Sequence, residues 1–348
     1  MFIMYRLKIS IPHTLLRAVL INPGSISHAR FNTSLGLPAF YTIMAPNDYN
    51  PARDIPPLDG KVILITGGNI GLGKQSALDL IKHNPAEIWL AARNSQKADN
   101  AITELKETAP QVSVRFLQLD LGSFDSVKNA ARTFESSVSR LDILLLNAGV
   151  MGCPPGQTKE GYEMHWGINH VGHALLLKLL TPLLLRTRSD SRSEVRIVSV
   201  SSVAHKFSVS GGVKFGILKT NGGGESPNNL YGQSKLANLI YAKEYSEHHP
   251  ELTSVSIHPG TVKTDLQSSG GNLLMRGFQK FIVPLIGVEV QEGAKSQLWA
   301  ATAKAGVENG EYYEPVGVAG RGSALSKNKE LGKKLWDWTE KELAANNI

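Results

Sequence analysis

The chain has one cysteine, Cys153, in 348 residues, which excludes an intrachain disulfide and any metal site built from cysteines. A reducing compartment fits that usage. It also lacks an uninterrupted apolar run of the ~20 residues that a membrane span requires. The most apolar stretch, Ala174 to Leu185, is interrupted by Lys178 and Pro182 and reads as a buried or interface-forming helix. The net charge is +7, yet the basic residues are scattered and form no dense Lys/Arg block. Without a basic stripe or a stacking platform, nucleic-acid binding is set aside in favour of a mildly basic protein with an anionic ligand. His165, His170, His173 and His205 lack the helical spacing and acidic partners of a metal site, so no metal is expected. Asp142 and Glu163 form no recognisable carboxylate pair.

Acidic residues are missing altogether from residues 1–47, which carry Arg6, Lys8, Arg17 and Arg30 with several Ser and Thr. That is the composition of a mitochondrial transit peptide. Two other readings stand beside it: translation begins at Met44 and the upstream stretch is a gene-model extension, or the segment is a disordered tail. None gives it chemistry. The expected location is cytoplasmic, or mitochondrial if residues 1–43 are a genuine transit peptide.

From residue 48 to 348 the composition is that of an ordinary globular domain, the whole chain being 42% hydrophobic and 19% charged. Pro51 to Leu58 reads as an extended lead-in. Lys61 to Thr66 is a continuous apolar strand of the kind buried on both faces of a parallel sheet. Thr66, Gly67, Gly68, Asn69, Ile70, Gly71, Leu72 and Gly73 follow it, and a helical pattern runs from Lys74 to Lys82. Strand, glycine turn and helix form the arrangement that binds a dinucleotide. Glycines permit the tight turn and close backbone approach, and the free N–H groups of the helix start meet the pyrophosphate.

The second strand, Glu87 to Ala92, ends at Arg93. A cation there accommodates the 2′-phosphate of NADP, whereas an acid would hold the 2′-hydroxyl of NAD. Arg93 therefore argues for NADP(H), with Lys74 as a helper. A third strand, Val112 to Leu119, closes on Asp120, placed to accept from the adenine amino group. A fourth, Leu141 to Leu146, closes on Asn147, Ala148 and Gly149, small enough to pass beside a cofactor. A fifth, Val195 to Val200, ends at Ser201 and Ser202, and a sixth, Ser254 to His258, runs into Pro259 and Gly260. Strands and helices alternating at this interval predict a single α/β domain, a Rossmann-type doubly wound parallel sheet of about seven strands with helices on both faces. Ligands of such sheets bind at the carboxyl ends of the strands.

Between the fifth and sixth strands, Asn229 to His248 reads as one helix carrying Tyr231 and Lys235. A spacing of four puts phenol and ammonium on one face, where the charge favours the phenolate of a group whose ordinary pKa is ~10. The pair is a candidate acid/base; its bland alternative is a packed Tyr with a solvated Lys.

These motifs, in this order, closely resemble the short-chain dehydrogenase/reductase family over roughly Leu58 to Pro315. The stretch from Arg196 to His205, Ala92-Arg93 and the C-terminal helical tail look most like its retinol-dehydrogenase-like branch. The resemblance implies that Tyr231 exchanges the proton with the substrate oxygen, that Lys235 lowers the Tyr231 pKa and binds the nicotinamide ribose, and that Ser202 donates to the substrate oxygen. It implies that Asn169 holds a water linking Lys235 to solvent, with a helix-distorting structural amide as the competing role. It implies that Thr264 and the backbone of Val262 fix the nicotinamide carboxamide. Thr66, Gly67, Asn69, Ile70, Gly71, Gly73, Arg93, Asp120, Asn147, Tyr231 and Lys235 would complete the cofactor site.

Residues 268–290, rich in Leu, Ile, Phe and Val, would form a lid, and ordinary core packing is the alternative. The lid points to a small lipophilic carbonyl or alcohol substrate. Residues 327–346 read as an amphipathic helix docking on the body rather than a membrane anchor, and a homo-oligomer is compatible with the whole. A non-catalytic NADP(H)-binding interaction protein on the same fold is the alternative function, but such a module needs only the glycine turn.

Overall fold

The computed structural model describes residues 48–191, 194–262 and 287–346. Seven strands form one all-parallel sheet in the order β3-β2-β1-β4-β5-β6-β7. They are β1 (Val62–Thr66), β2 (Glu87–Ala92), β3 (Ser113–Gln118), β4 (Ile143–Leu146), β5 (Arg196–Val200), β6 (Thr253–Ile257) and β7 (Tyr312–Tyr313).

The apolar runs alternate between two cores, one on each face of the sheet. Leu64, Trp89, Leu144 and Ile197 pack on one side, with Phe134 and Trp166. Ile63, Ile65, Leu90, Leu145 and Val198 pack on the other, with Leu80, Leu105 and Leu298. A strand buried on both faces has no polar side to alternate with, which explains the unbroken hydrophobic spelling of β1 and β4. Edge strand β3 is less covered: Val114 and Leu117, on opposite faces, are buried in different cores, while Ser113, Arg115 and Gln118 are exposed.

The helices follow from recognisable ends. α1 (Pro51–Asp54) replaces the extended lead-in expected there: Asn50 caps it by accepting from Ala52 N at 3.0 Å, and Pro51 at its first position loses no helical hydrogen bond. α2 (Gly71–Leu80) and α3 (Ser95–Thr108) cover one face of the sheet. α4 (Phe124–Ser137), capped by Ser123, covers the other. α5 (Met164–Trp166) runs through a π-helical turn, Gly167–Val171, into α6 (Gly172–Ser191). That run is long and apolar enough to cross a membrane, but 72% of its apolar window is buried within the fold, as in the core helix of a globular domain.

α7 (Pro227–His248) starts two residues before the expected position because Ser226 caps it and Pro227 opens it. α8 (Val290–Thr302) packs on α2, where Gln297 Nε2 donates to Ser76 Oγ at 2.5 Å. α9 (Lys329–Ala344) docks through Leu331, Leu335 and Leu343, each contributing about 2 kcal/mol on burial. Polar ties reinforce it: Tyr162 donates to Glu342 at 2.8 Å and Lys178 pairs with Glu340 at 2.5 Å.

Candidate active site

The strand order changes direction at β1, with β2 and β3 laid down on one side of it and β4 to β7 on the other, and the crevice opens at the carboxyl ends of β1 and β4. The turn after β1 is closed by Gly67 N donating to Ala91 O at 2.7 Å. Gly67 and Gly71 have φ of +65° and +53°, a region that costs side-chain-bearing residues strain. A Cβ at Gly73 would lie 2.4 Å from the Gly67 carbonyl oxygen and 2.7 Å from Asn147 Nδ2. Ile70, the N-cap of α2, makes no side-chain capping bond, which leaves the first N–H groups of the helix without that partner. Together these features make a cradle that fits a pyrophosphate.

Thr66 is completely buried. Its hydroxyl accepts from Asn147 N at 2.9 Å and Ala148 N at 3.0 Å, and lies 3.0 Å from His173 Nε2. Asn147 Nδ2 returns a bond to Thr66 O at 2.8 Å. The side chain named as a cofactor contact thus joins the ends of β1 and β4. Asn69 and Ile70 lie on the turn itself.

Arg93 is exposed at the end of β2, and no ion pair among the described residues engages it. Its proposed helper is differently placed: Lys74 Nζ pairs with Glu104 at 2.5 Å and ties α2 to α3. Asp120 Oδ1 accepts from Gly122 N at 3.0 Å, turning the chain at the end of β3. Thr264 and residues 263–286, which include most of the expected lid, lie outside the described residues; Val262 is joined to Val288 by a parallel bridge.

The acid/base candidates converge at the ends of β4 and β5. Lys235 Nζ donates to Val200 O at 2.8 Å and sits 5.8 Å from the centre of the Tyr231 ring. Gly149 runs alongside, where a Cβ would be 3.5 Å from Lys235 Nζ. The adjacent serines divide. Ser201 Oγ donates to Lys235 O at 2.7 Å, a satisfied internal hydroxyl. Ser202 is partly exposed, accepts from Ala204 N at 3.2 Å, and interacts with the Tyr231 phenol.

Burial pushes Tyr231 up to about 12, with Ser202 drawing it down, and pushes Lys235 down to about 8. The expected lowering of Tyr231 by Lys235 is therefore not what the protein's own residues produce. Desolvation penalises both charged forms and is the largest cause of each shift.

Asn169 sits in the π-helical turn and clamps Val150 on both sides, accepting from Val150 N at 2.8 Å and donating to Val150 O at 3.0 Å. It also donates to Ser234 Oγ at 2.9 Å, which in turn donates to Tyr231 O at 2.8 Å. These bonds make its side chain a brace between Val150 and the turn of helix that carries Tyr231.

Two further groups had no visible signal in the sequence. His173 spans the site from below, with Nδ1 3.0 Å from Asn169 O and Nε2 at Thr66. His165 does have an acidic partner, contrary to expectation: Nδ1 lies 2.7 Å from Glu163 Oε1, and its ring packs edge-on against Tyr231 at 6.2 Å. Burial lowers its pKa, while interactions with the Cys153 side chain and with the Glu163 carboxylate, which accepts from the ring, raise it by more, to about 9. No cluster that could hold a metal ion occurs among the described residues.

A parallel sheet with a glycine cradle at its switch point and a Tyr–Lys–Ser group beside it defines the nicotinamide-cofactor oxidoreductase class of fold. A short chain dehydrogenase profile matches residues 61–219. A short-chain dehydrogenase/reductase of Armillaria gallica is 37% identical over 294 residues, covering 83% of this chain and 92% of that one. Retinol dehydrogenase 11 of Homo sapiens is 35% identical over 289 residues, covering 80% and 85%. A crystal structure from Mycobacterium paratuberculosis superposes with a TM-score of 0.65 at 27% identity, covering 84% of this chain and 97% of that one. The chain belongs to the short-chain dehydrogenase/reductase family, whose members use a nicotinamide cofactor.

Proposed function

We propose that the protein is an NADP(H)-dependent oxidoreductase that interconverts a carbonyl and a primary or secondary alcohol on a lipophilic small molecule. The observation carrying this reading is the convergence of Ser202, Tyr231 and Lys235 beside Gly149 at the strand ends. A module that only bound the cofactor would not need that group.

The glycine cradle would hold the pyrophosphate and Arg93 the 2′-phosphate. The cofactor, when bound, supplies or accepts the hydride. Tyr231 gives its proton to the carbonyl oxygen in reduction, for which its high pKa keeps it loaded, and takes one from the hydroxyl in oxidation. Ser202 donates to the same oxygen and opposes the charge building there. Lys235, fixed by Val200 O, would bind the nicotinamide ribose and keep a positive charge near the phenol. Asn169 and Ser234 hold the backbone of Val150 and Tyr231 so that this geometry persists. Retinol dehydrogenase 11, by its name, takes a lipophilic alcohol, which supports the substrate class. Residues 268–290 would cover the bound molecule, residues 1–47 would take no part in the chemistry, and the cytoplasm is the proposed location.

The test is turnover of a panel of hydrophobic ketones and aldehydes with NADPH and NADH, followed by cofactor absorbance and product. Oxidation of NADPH by at least one member is expected; tight NADPH binding with no turnover contradicts the reading.

A further inference from the structure

His205 follows Ser202 by one turn of a 3₁₀ helix, Val203–Phe207. It is fully buried. Both its backbone N (3.0 Å) and its ring Nδ1 (2.7 Å) reach the Ser202 carbonyl oxygen. At the other end of the ring, Nε2 lies 3.1 Å from Ser323 N, in the segment that follows β7. A backbone N–H can only donate, so Nε2 must accept, and the hydrogen of the neutral ring is thereby placed on Nδ1, facing Ser202. Tyr312 stacks edge-on at 5.2 Å and donates to Glu314 at 2.8 Å, which also meets Lys206 at 3.2 Å. Burial lowers the pKa of His205 against the raising effect of the Ser202 bond, which favours the neutral ring. The groups facing it are Lys206 on its own turn, Tyr312 and Glu314 beside β7, and His258 at the end of β6; Tyr231 and Lys235 on α7 lie just beyond.

We propose that His205 is a positioning residue for Ser202: the Ser323 N–H fixes its tautomer, and the ring Nδ1–H then holds the Ser202 backbone where the serine hydroxyl meets the substrate oxygen. The C-terminal segment after β7 thus sets the geometry of a group at the end of β5. This inference rests on the role given to Ser202 above.

The test uses the whole enzyme with a carbonyl that it reduces. His205→Asn retains a donor near Nδ1, whereas His205→Gln places its amide near Nε2 and withdraws the donor from Ser202. His205→Gln should lower kcat about tenfold with the KM for NADPH unchanged, and His205→Asn should stay within about threefold of wild type. Combined with Ser202→Ala, His205→Gln should cost less than about twofold more, because the hydroxyl that it positions is gone. Equal losses in the two His205 variants, or a full His205→Gln loss that persists in Ser202→Ala, would overturn the inference alone. An unchanged kcat in Ser202→Ala would overturn the Ser202 role and this inference together.

Discussion

Lys235 Nζ lies 5.8 Å from the centre of the Tyr231 ring, one helical turn away, and is anchored at 2.8 Å on the carbonyl of Val200. The anchor keeps the ammonium beside the phenol although burial pulls its pKa down to about 8. Tyr231, raised to about 12, stays protonated through neutral pH. Carbonyl reduction should therefore be level below about pH 7.5 and decline as Lys235 loses its proton near 8, while alcohol oxidation rises with pH as the phenolate forms. Lys235→Arg keeps its charge, so the limb near 8 should vanish from its kcat/KM profile. An unchanged limb would assign that titration elsewhere.

Arg93→Asp places a carboxylate where the 2′-phosphate is expected. The kcat/KM ratio for NADPH over NADH should fall at least tenfold, since an added acid both removes an ion pair and repels the phosphate. An unaltered ratio would leave Arg93 as a surface residue.

Gly73→Ala pushes a methyl against the Gly67 carbonyl and the Asn147 amide. The turn must open to admit it. The Kd for NADPH should rise at least tenfold, a change of about 1.4 kcal/mol, measured by quenching of protein fluorescence.

Asp142 stands at the opposite end of the sheet, buried, with Arg140 at 2.6 Å, Lys61 at 3.2 Å and Val62 N at 3.0 Å. Burial raises its pKa, but these donors together hold it below the usual carboxylate range. Asp142→Asn should cost about 2 kcal/mol in urea unfolding at pH 7. Because the folded pKa is depressed, the wild-type advantage is complete above the unfolded value of ~3.9 and shrinks as pH falls below it. An advantage that grows on acidification would contradict this assignment.

Sheet and cradle were legible because their physics is local. A strand buried on both faces must be spelled in apolar residues, so β1, β4 and β5 stood out to within two residues at each end. The turn needed glycines at positions where backbone meets backbone. α1 was missed because Pro51 reads as a breaker, and only the Asn50 cap shows that it opens a helix. The Asn169 clamp on Val150, the Thr66 bridge to Asn147 and the Glu163–His165 pair join residues through the tertiary fold or a local turn. No spacing announces such contacts. The choice between Ser201 and Ser202 came from the family pattern, and the structure adds a reason: Ser201 is bonded to Lys235 O.

The central claim is that Tyr231 moves the proton. The most direct measurement compares wild type with Tyr231→Phe for NADPH binding and for single-turnover reduction of a hydrophobic ketone. The phenol is buried and removal of its oxygen leaves the ring packing against His165 in place. Binding should be unchanged within about twofold, while reduction slows by roughly 10² to 10⁴. Equal reduction rates in the two proteins would contradict the account.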